Sequence, residues 1–185
     1  MNDSHMHERR FRGEPDRLRS AERVAMLEVE RVVALSLEDL VVKSVLDVGT
    51  GTGVFAEAFS KLVPDVTGID TNIDLLAVAR SYVPGAQFRE APAEAIPFED
   101  GAFDLAFLGH VLHETDDALK ALREARRVAR SRVVVLEWPY RKEQQGPPLE
   151  HRLRPEAIED FAGQAGFRKV ESLKMNHMAL YRLSP

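Results

Sequence analysis

The chain has 185 residues, no cysteine, a formal charge of −5 and 44% apolar residues. That length suits one α/β domain with a sizeable core. The missing cysteines exclude a disulfide frame, a thiolate metal site and a cysteine nucleophile; the acidic balance argues against a nucleic-acid surface, and no apolar run approaches a membrane span.

Met1 to Arg12 is charged rather than apolar, so no secretory leader is expected and the cytoplasm is the expected compartment. His5 and His7 are given no chemical role. Gly13 and Pro15 break the polar lead-in. From Asp16 to Leu40 the spacing of Val24, Leu27, Val32, Val33, Leu35 and Leu37 predicts helix with one packing face, broken once, with Ser20 capping a second start.

After residue 43 strand and helix alternate, which implies a parallel sheet. Strands are predicted near 43–48, 64–70, 86–90, 103–109 and 131–137, and helices near 53–62, 72–82, 116–130 and 154–165. Thr71 and Thr115 are the expected caps of the second and third of these helices. The basic end of the third, Arg123, Arg126, Arg127 and Arg130, reads as a solvated face opposing the helix dipole. The polar stretch from Pro139 to Leu153, with Gly146-Pro147-Pro148, is long for a loop, and such loops often carry function. Two closing strands, Lys169–Lys174 and Met178–Leu183, are joined around Asn176-His177 as a hairpin, so the last runs antiparallel.

The organising stretch is Ser44 to Leu62, an apolar strand, three alternate glycines and an amphipathic helix. Glycines there allow a sharp turn and close approach of backbone to a ligand, and the helix start favours an anionic group. The pattern is Asp47-x-Gly49-x-Gly51-x-Gly53. A dinucleotide fingerprint needs glycine where Val54 stands, and no Gly-Lys-Ser/Thr phosphate loop occurs. Asp70 ends the second strand, about 20 residues past the turn, where a carboxylate accepts ribose hydroxyls; the alternative is a surface or capping acid.

These two features, with Phe88 to Asp104 (Phe-Arg-Glu-Ala-Pro-Ala-Glu-Ala-Ile-Pro-Phe-Glu-Asp-Gly-Ala-Phe-Asp), resemble the class I S-adenosylmethionine (SAM) dependent methyltransferases, specifically the small UbiE-like, type 11 group. The resemblance runs from about residue 40 to the end. It implies a Rossmann-like α/β fold: a seven-stranded, mostly parallel sheet in the order 3-2-1-4-5-7-6, helices on both faces and the last strand antiparallel. It implies one methyltransferase domain over residues 1–185, with 1–40 as a helical cap or lead-in; simple packing at the sheet edge is the alternative for that segment. SAM is the implied cofactor, held by Asp47, Gly49, Thr50, Gly51, Gly53, Asp70, Thr71, Ala93, Glu94 and Leu108, with the ribose on Asp70. Where the family places an Asp against the adenine amino group this chain has Pro92, so backbone near Ala93, with Glu94, is the expected substitute.

The implied reaction is methyl transfer to a small-molecule acceptor whose atom is O, N, C or S. The donor arrives activated, so the protein's work is alignment and water exclusion, with a base needed only for a protonated acceptor. His110, after the fourth strand, is the candidate catalytic residue, as general base or as a hydrogen-bonding group of the pocket. His113 reads as structural. Trp138 and Tyr140 are either acceptor wall or packing, and His151 with Arg152 are candidates for an anionic acceptor. No metal is expected: the segment after strand four lacks the acids of catechol-type enzymes. The Asn/Asp-Pro-Pro-Tyr run of amino-directed nucleic-acid enzymes is also absent. The competing reading is a binding or activator module that keeps the pocket without turnover.

Overall fold

A computed structural model describes residues 15–143 and 145–185; the expectations for residues 1–14 lie outside it. One seven-stranded sheet runs β3-β2-β1-β4-β5-β7-β6. Its strands are β1 (Ser44–Val48), β2 (Asp65–Asp70), β3 (Gln87–Glu90), β4 (Phe103–Gly109), β5 (Ala129–Glu137), β6 (Lys169–Lys174) and β7 (Ala179–Ser184). The first five pair in parallel, β7 lies antiparallel to β5, and β6 returns antiparallel to β7. The order and the reversed last strand are those implied by the sequence.

Alternation along each strand feeds two cores. Leu46, Val48, Ala106, Leu108, Val133 and Val135 face one side. There they meet Ala121, Leu122, Ala125 and Val128 of α6 (Ala118–Val128) and Ile158 and Ala162 of α7 (Pro155–Gln164). Val45, Leu105, Phe107, Val134 and Leu136 face the other, against α3 (Val29–Leu37) and α4 (Val54–Ser60). The ring of Phe107 packs against Phe55 and Phe59 at 4.6 and 5.4 Å between centroids. On α6 the buried positions recur three and four apart, the spacing of one helical face.

The lead-in is broken twice rather than once. α1 (Pro15–Leu18) and α2 (Ala21–Met26) meet at Ser20, whose hydroxyl accepts from the Arg23 N–H as expected of a cap. A second break falls at Glu28, at φ 49°, before α3. Glu28 stays in that left-handed conformation while its carboxylate accepts from the backbone and side-chain amides of Asn176. Arg19 ties this lead-in to α4: it donates to the Thr52 carbonyl at 2.7 Å, pairs with Glu57 and lies over the Tyr82 ring.

Both expected threonine caps are displaced. Asn72 caps α5 (Ile73–Tyr82), its amide oxygen accepting from Asp74 and Leu75 N–H, so Thr71 lies before the cap. Asp117 caps α6 by accepting from Lys120 N–H, while Thr115 donates to the Leu112 carbonyl of the preceding short 3₁₀ turn. In each case the side chain that reaches the free N–H groups stands one or two residues later than the first polar residue of the run. Two of the arginines expected to be solvated, Arg127 of α6 and Arg130 at the start of β5, are not. Arg127 donates to the Ile96 and Phe98 carbonyls and to Glu124 and Asp100, and Arg130 to Gly101 and Asp104, so they pin the loop before β4.

Candidate functional site

The carboxyl ends of β1, β2, β4 and β5 surround a cavity of about 870 Å³, within the range of small-molecule sites. In an open α/β sheet this is where the strand order reverses and ligands bind. α1, α2 and the segment 146–151 complete the walls.

On the β1–β2 side the walls are largely backbone. Gly49, Gly51 and Gly53 have φ of 69°, 54° and 79°, a region that glycine enters without steric cost. They do three different things. A Cβ on Gly49 would strike Val111 at 2.6 Å, and one on Gly53 would press Ala79 at 3.0 Å, so these two allow close packing of chain on chain. A Cβ on Gly51 would meet only Leu18 at 3.7 Å, and this glycine borders the cavity. Asp70 locks the turn from the neighbouring strand: one carboxylate oxygen accepts from Gly51 N–H and the other from Asn72 N–H, both at 2.8 Å.

Seven of the predicted cofactor-binding residues line the cavity: Gly49, Thr50, Gly51, Asp70, Thr71, Ala93 and Glu94. Three do not. Leu108 is wholly buried in the core and Gly53 packs on α5. Asp47 turns inward, 2% exposed, and accepts from the Thr50 hydroxyl at 2.7 Å, supporting the turn from beneath. Burial pushes its pKa up to about 7, against the hydrogen bonds from Thr50 and the Ala56 N–H and with the repulsion of Asp70. Glu94 also spends one carboxylate oxygen on the Asp116 and Asp117 N–H groups at 2.8 and 3.4 Å, joining the cavity wall to the start of α6.

On the β4–β5 side the walls are side chains. His110 follows β4 at φ 59°, where a non-glycine residue is strained. Its N–H extends the sheet by donating to the Leu136 carbonyl at 2.8 Å. The imidazole lies 5.1 Å from the Trp138 ring, and neither of its nitrogens has a hydrogen-bond partner among the described residues. Burial pushes its pKa down to about 3, outweighing the attraction of Glu137 and assisted by Arg23 and His113, so the ring is neutral.

His113 and Glu137 form a buried pair. Nδ1 stands 2.7 Å from one carboxylate oxygen, and the other oxygen accepts from the His113 N–H at 3.1 Å. Burial opposes both charges, yet Glu137 holds the His113 pKa above its usual value and His113 holds Glu137 below its own. His113 was expected to be structural; the pair fixes the 3₁₀ turn after β4 to the end of β5, and the residue also borders the cavity.

The loop after β5 holds a correction. Arg152, expected as an anion ligand, is 5% exposed, with its guanidinium donating to the carbonyls of Pro139, Arg141, Gln145 and Pro147. It organises the loop instead of facing a ligand. His151 does reach the cavity wall; Tyr140 lies under the Arg154 guanidinium and is not part of that wall. Trp138 borders the cavity while packing against Gly146, where a Cβ would meet its ring at 2.7 Å. The lead-in contributes Arg17, Leu18, Arg23 and Leu27, none of which the sequence singled out for the site. Among the described residues no cluster could hold a metal ion, and no helix is long and apolar enough to cross a membrane.

A family model described as a methyltransferase domain matches residues 46–136. An uncharacterized methyltransferase, YcgJ of Bacillus subtilis, is 37% identical over 89 residues, covering 45% of this chain and 35% of that protein. A demethylmenaquinone methyltransferase of Thermus thermophilus is 39% identical over 117 residues, covering 59% of this chain and 53% of that protein. The chain thus spans between about a third and a half of the curated relatives it matches. A crystal structure of a SAM-dependent methyltransferase from Aquifex aeolicus superposes with a TM-score of 0.81 at 23% identity, covering 93% of this chain and 98% of that one.

Proposed function

We propose, from the match of residues 46–136 to a methyltransferase domain and from the cavity described above, that this chain is a class I SAM-dependent methyltransferase of the UbiE-like group and that it methylates a small-molecule acceptor bound at the β4–β5 side of the cavity. One observation carries the reading: a single cavity joins the glycine turn of β1 and Asp70 of β2 to the polar ring of His110 at the tip of β4. Donor and acceptor must share one enclosed space for an in-line transfer.

The residues present fit the donor. Gly51 leaves open space where a side chain would stand. Asp70 holds a carboxylate at the tip of β2, suited to ribose hydroxyls. We assign the sugar to Asp70 and the amino-acid end to the backbone around Gly49–Gly51. Thr71, Ala93 and Glu94 border the adenine, with Pro92 leaving the ring to backbone contacts. Asp47 acts through Thr50, as the support of the turn. When bound, SAM supplies a methyl group on a positively charged sulfur, already activated for displacement.

The chain's own task is to orient the acceptor and keep water out. We assign His110 to orientation. A neutral imidazole offers one donor and one acceptor, and a ring whose pKa lies at about 3 is a poor proton sink at neutral pH. An acceptor on this surface therefore arrives nucleophilic or passes its proton elsewhere. The relatives named as demethylmenaquinone methyltransferases match only in part, so a quinone acceptor is one arm of the test. Release of S-adenosylhomocysteine is measured over a panel of phenols, amines, thiols, carboxylates and quinones. Turnover on one class supports the reading. Tight donor binding with no product over every class would contradict it.

A further inference from the structure

Arg23 stands in a position that the donor reading does not use. It lines the main cavity and a second one of about 440 Å³, which is bounded by α2 on one hand and Trp138, Gln145 and Gly146 on the other and shares Arg17, Trp138 and Gly146 with the first. Three other arginines with little exposure have partners. Arg19 holds Thr52 and Glu57, Arg152 holds the loop carbonyls, and Arg182 holds Glu38 and Glu171. Among the described residues the Arg23 guanidinium has no hydrogen bond and no ion pair; its backbone N–H donates to the Ser20 hydroxyl and its carbonyl accepts from Leu27 N–H. Burial lowers its pKa, with the Glu114 charge offsetting this in part and Arg17 adding to it. A partly desolvated cation without a partner is costly unless an anion completes it.

A second, independent feature points to a ligand in the same place. Both nitrogens of His110 are buried and unpartnered while the residue borders the cavity. Buried polar atoms in folded proteins are nearly always bonded, so a donor–acceptor group is missing there. Apolar residues line the same cavity, among them Leu27, Val111 and Trp138.

We propose, resting on the methyltransferase reading, that this side of the cavity takes a small carboxylic acid with an apolar body. Its carboxylate meets Arg23, with Arg17 at the rim, and a polar group on its body bonds His110. The second opening is its entrance. The ionisable residues lining the subsite and its entrance are Arg17, Glu22, Arg23, His113, Glu114 and His151; Glu22 accepts from the Gln145 amide and Glu137 is spent on His113, so Arg23 is the inner cation that an anion can reach.

A carboxylate is also carried by the donor, and the experiment separates the two sources. Trp138 is the single tryptophan of the chain, so its fluorescence reports on the subsite. S-adenosylhomocysteine is first titrated by calorimetry; lack of binding there defeats the donor reading itself. With it saturating, 4-hydroxybenzoate, phenylacetate and 3-phenylpropionate are titrated against their neutral amides, in the wild type and in Arg23→Gln and Arg23→Lys, with circular dichroism as the check on folding. The proposal expects at least one acid to change Trp138 emission saturably and to bind about tenfold or more tighter than its amide, the worth of a charge-assisted hydrogen bond. Arg23→Gln should erase that preference, Arg23→Lys should keep part of it, and both should hold S-adenosylhomocysteine within about twofold of wild type. Equal binding of acids and amides, or no response to any acid, would overturn it. So would a loss of S-adenosylhomocysteine affinity in Arg23→Gln, which would give the arginine to the donor.

Discussion

The two sides of the cavity are built by different means. Around β1 and β2 the site is backbone: a glycine turn at positive φ, an Asp70 bridge of two 2.8 Å hydrogen bonds, and helix starts at Val54 and Ile73. Around β4 and β5 it is side chain: a neutral buried His110, the His113–Glu137 pair, Trp138, and arginines from α1 and α2. The first side is fixed before a ligand arrives, which suits a constant cofactor. The second keeps polar atoms unpaired, which suits a partner chosen by its chemistry.

The sharpest way to break the first side is Gly51→Val. The left-handed backbone costs a branched residue about 1–3 kcal/mol of stability, and the side chain fills the space that Gly51 leaves open. S-adenosylhomocysteine should give no measurable heat, while the far-ultraviolet spectrum stays that of an α/β fold. Normal binding in this variant would mean that the turn does not touch the ligand.

On the second side, Glu137→Ala strands His113 in a buried site. Stability to urea should fall by about 3 kcal/mol near pH 6, where the pair is charged, because one partner of a buried pair has gone. The sign with pH follows from the two shifts. His113 is raised above 6.5, so its contribution is full below that value and lost as pH climbs through the folded pKa. Glu137 is lowered below 4.5, so its contribution is full above that value and lost as pH falls through the folded pKa. The difference between wild type and variant should therefore shrink toward both ends of the pH range. A constant difference would deny the ion pair.

Asp47→Asn tests the support beneath the turn. The carboxyl is raised from 3.8 to about 7, so the folded ligand-free protein binds more protons than the unfolded chain between those values. Its contribution is present at low pH and is lost as pH rises through about 7. The asparagine variant retains an acceptor for Thr50 without the buried charge. It should be more stable than wild type by about 2 kcal/mol at pH 8 and nearly equal at pH 4. Thermal unfolding at the two pH values decides.

The smallest effect sharpens the comparison. Arg152→Ala removes the donor to four loop carbonyls, so amide exchange at residues 140–143, 145 and 146 should quicken about tenfold while β1 and β2 stay protected. Equal loosening of both sides would mean that they are one cooperative unit.

The contrast also explains what the sequence made legible. The β1–β2 side is local: Asp47, Gly49 and Gly51 lie within five residues, and Asp70 ends the next strand, so pattern and spacing sufficed. Even there Gly53 packs on α5 and Thr71 gives up the expected cap to Asn72, because which way a residue packs is set by the helix it meets. The β4–β5 side is non-local. His113 and Glu137 are 24 residues apart, and nothing near either announces the other. Arg23 reads as one more charge on an amphipathic helix. Arg152 reads as a surface cation, whereas the irregular loop leaves carbonyls needing a donor, and the arginine beside it turns inward to serve them.

The central claim is that Asp70 grips the sugar of an adenosyl ligand across the glycine turn. Calorimetric titration of S-adenosylhomocysteine into wild type and Asp70→Ala tests it most directly. The account predicts saturable binding to the wild type and a loss of about 1.5–3 kcal/mol in the variant. Equal affinity in the two proteins, or no heat from the wild type, would contradict it.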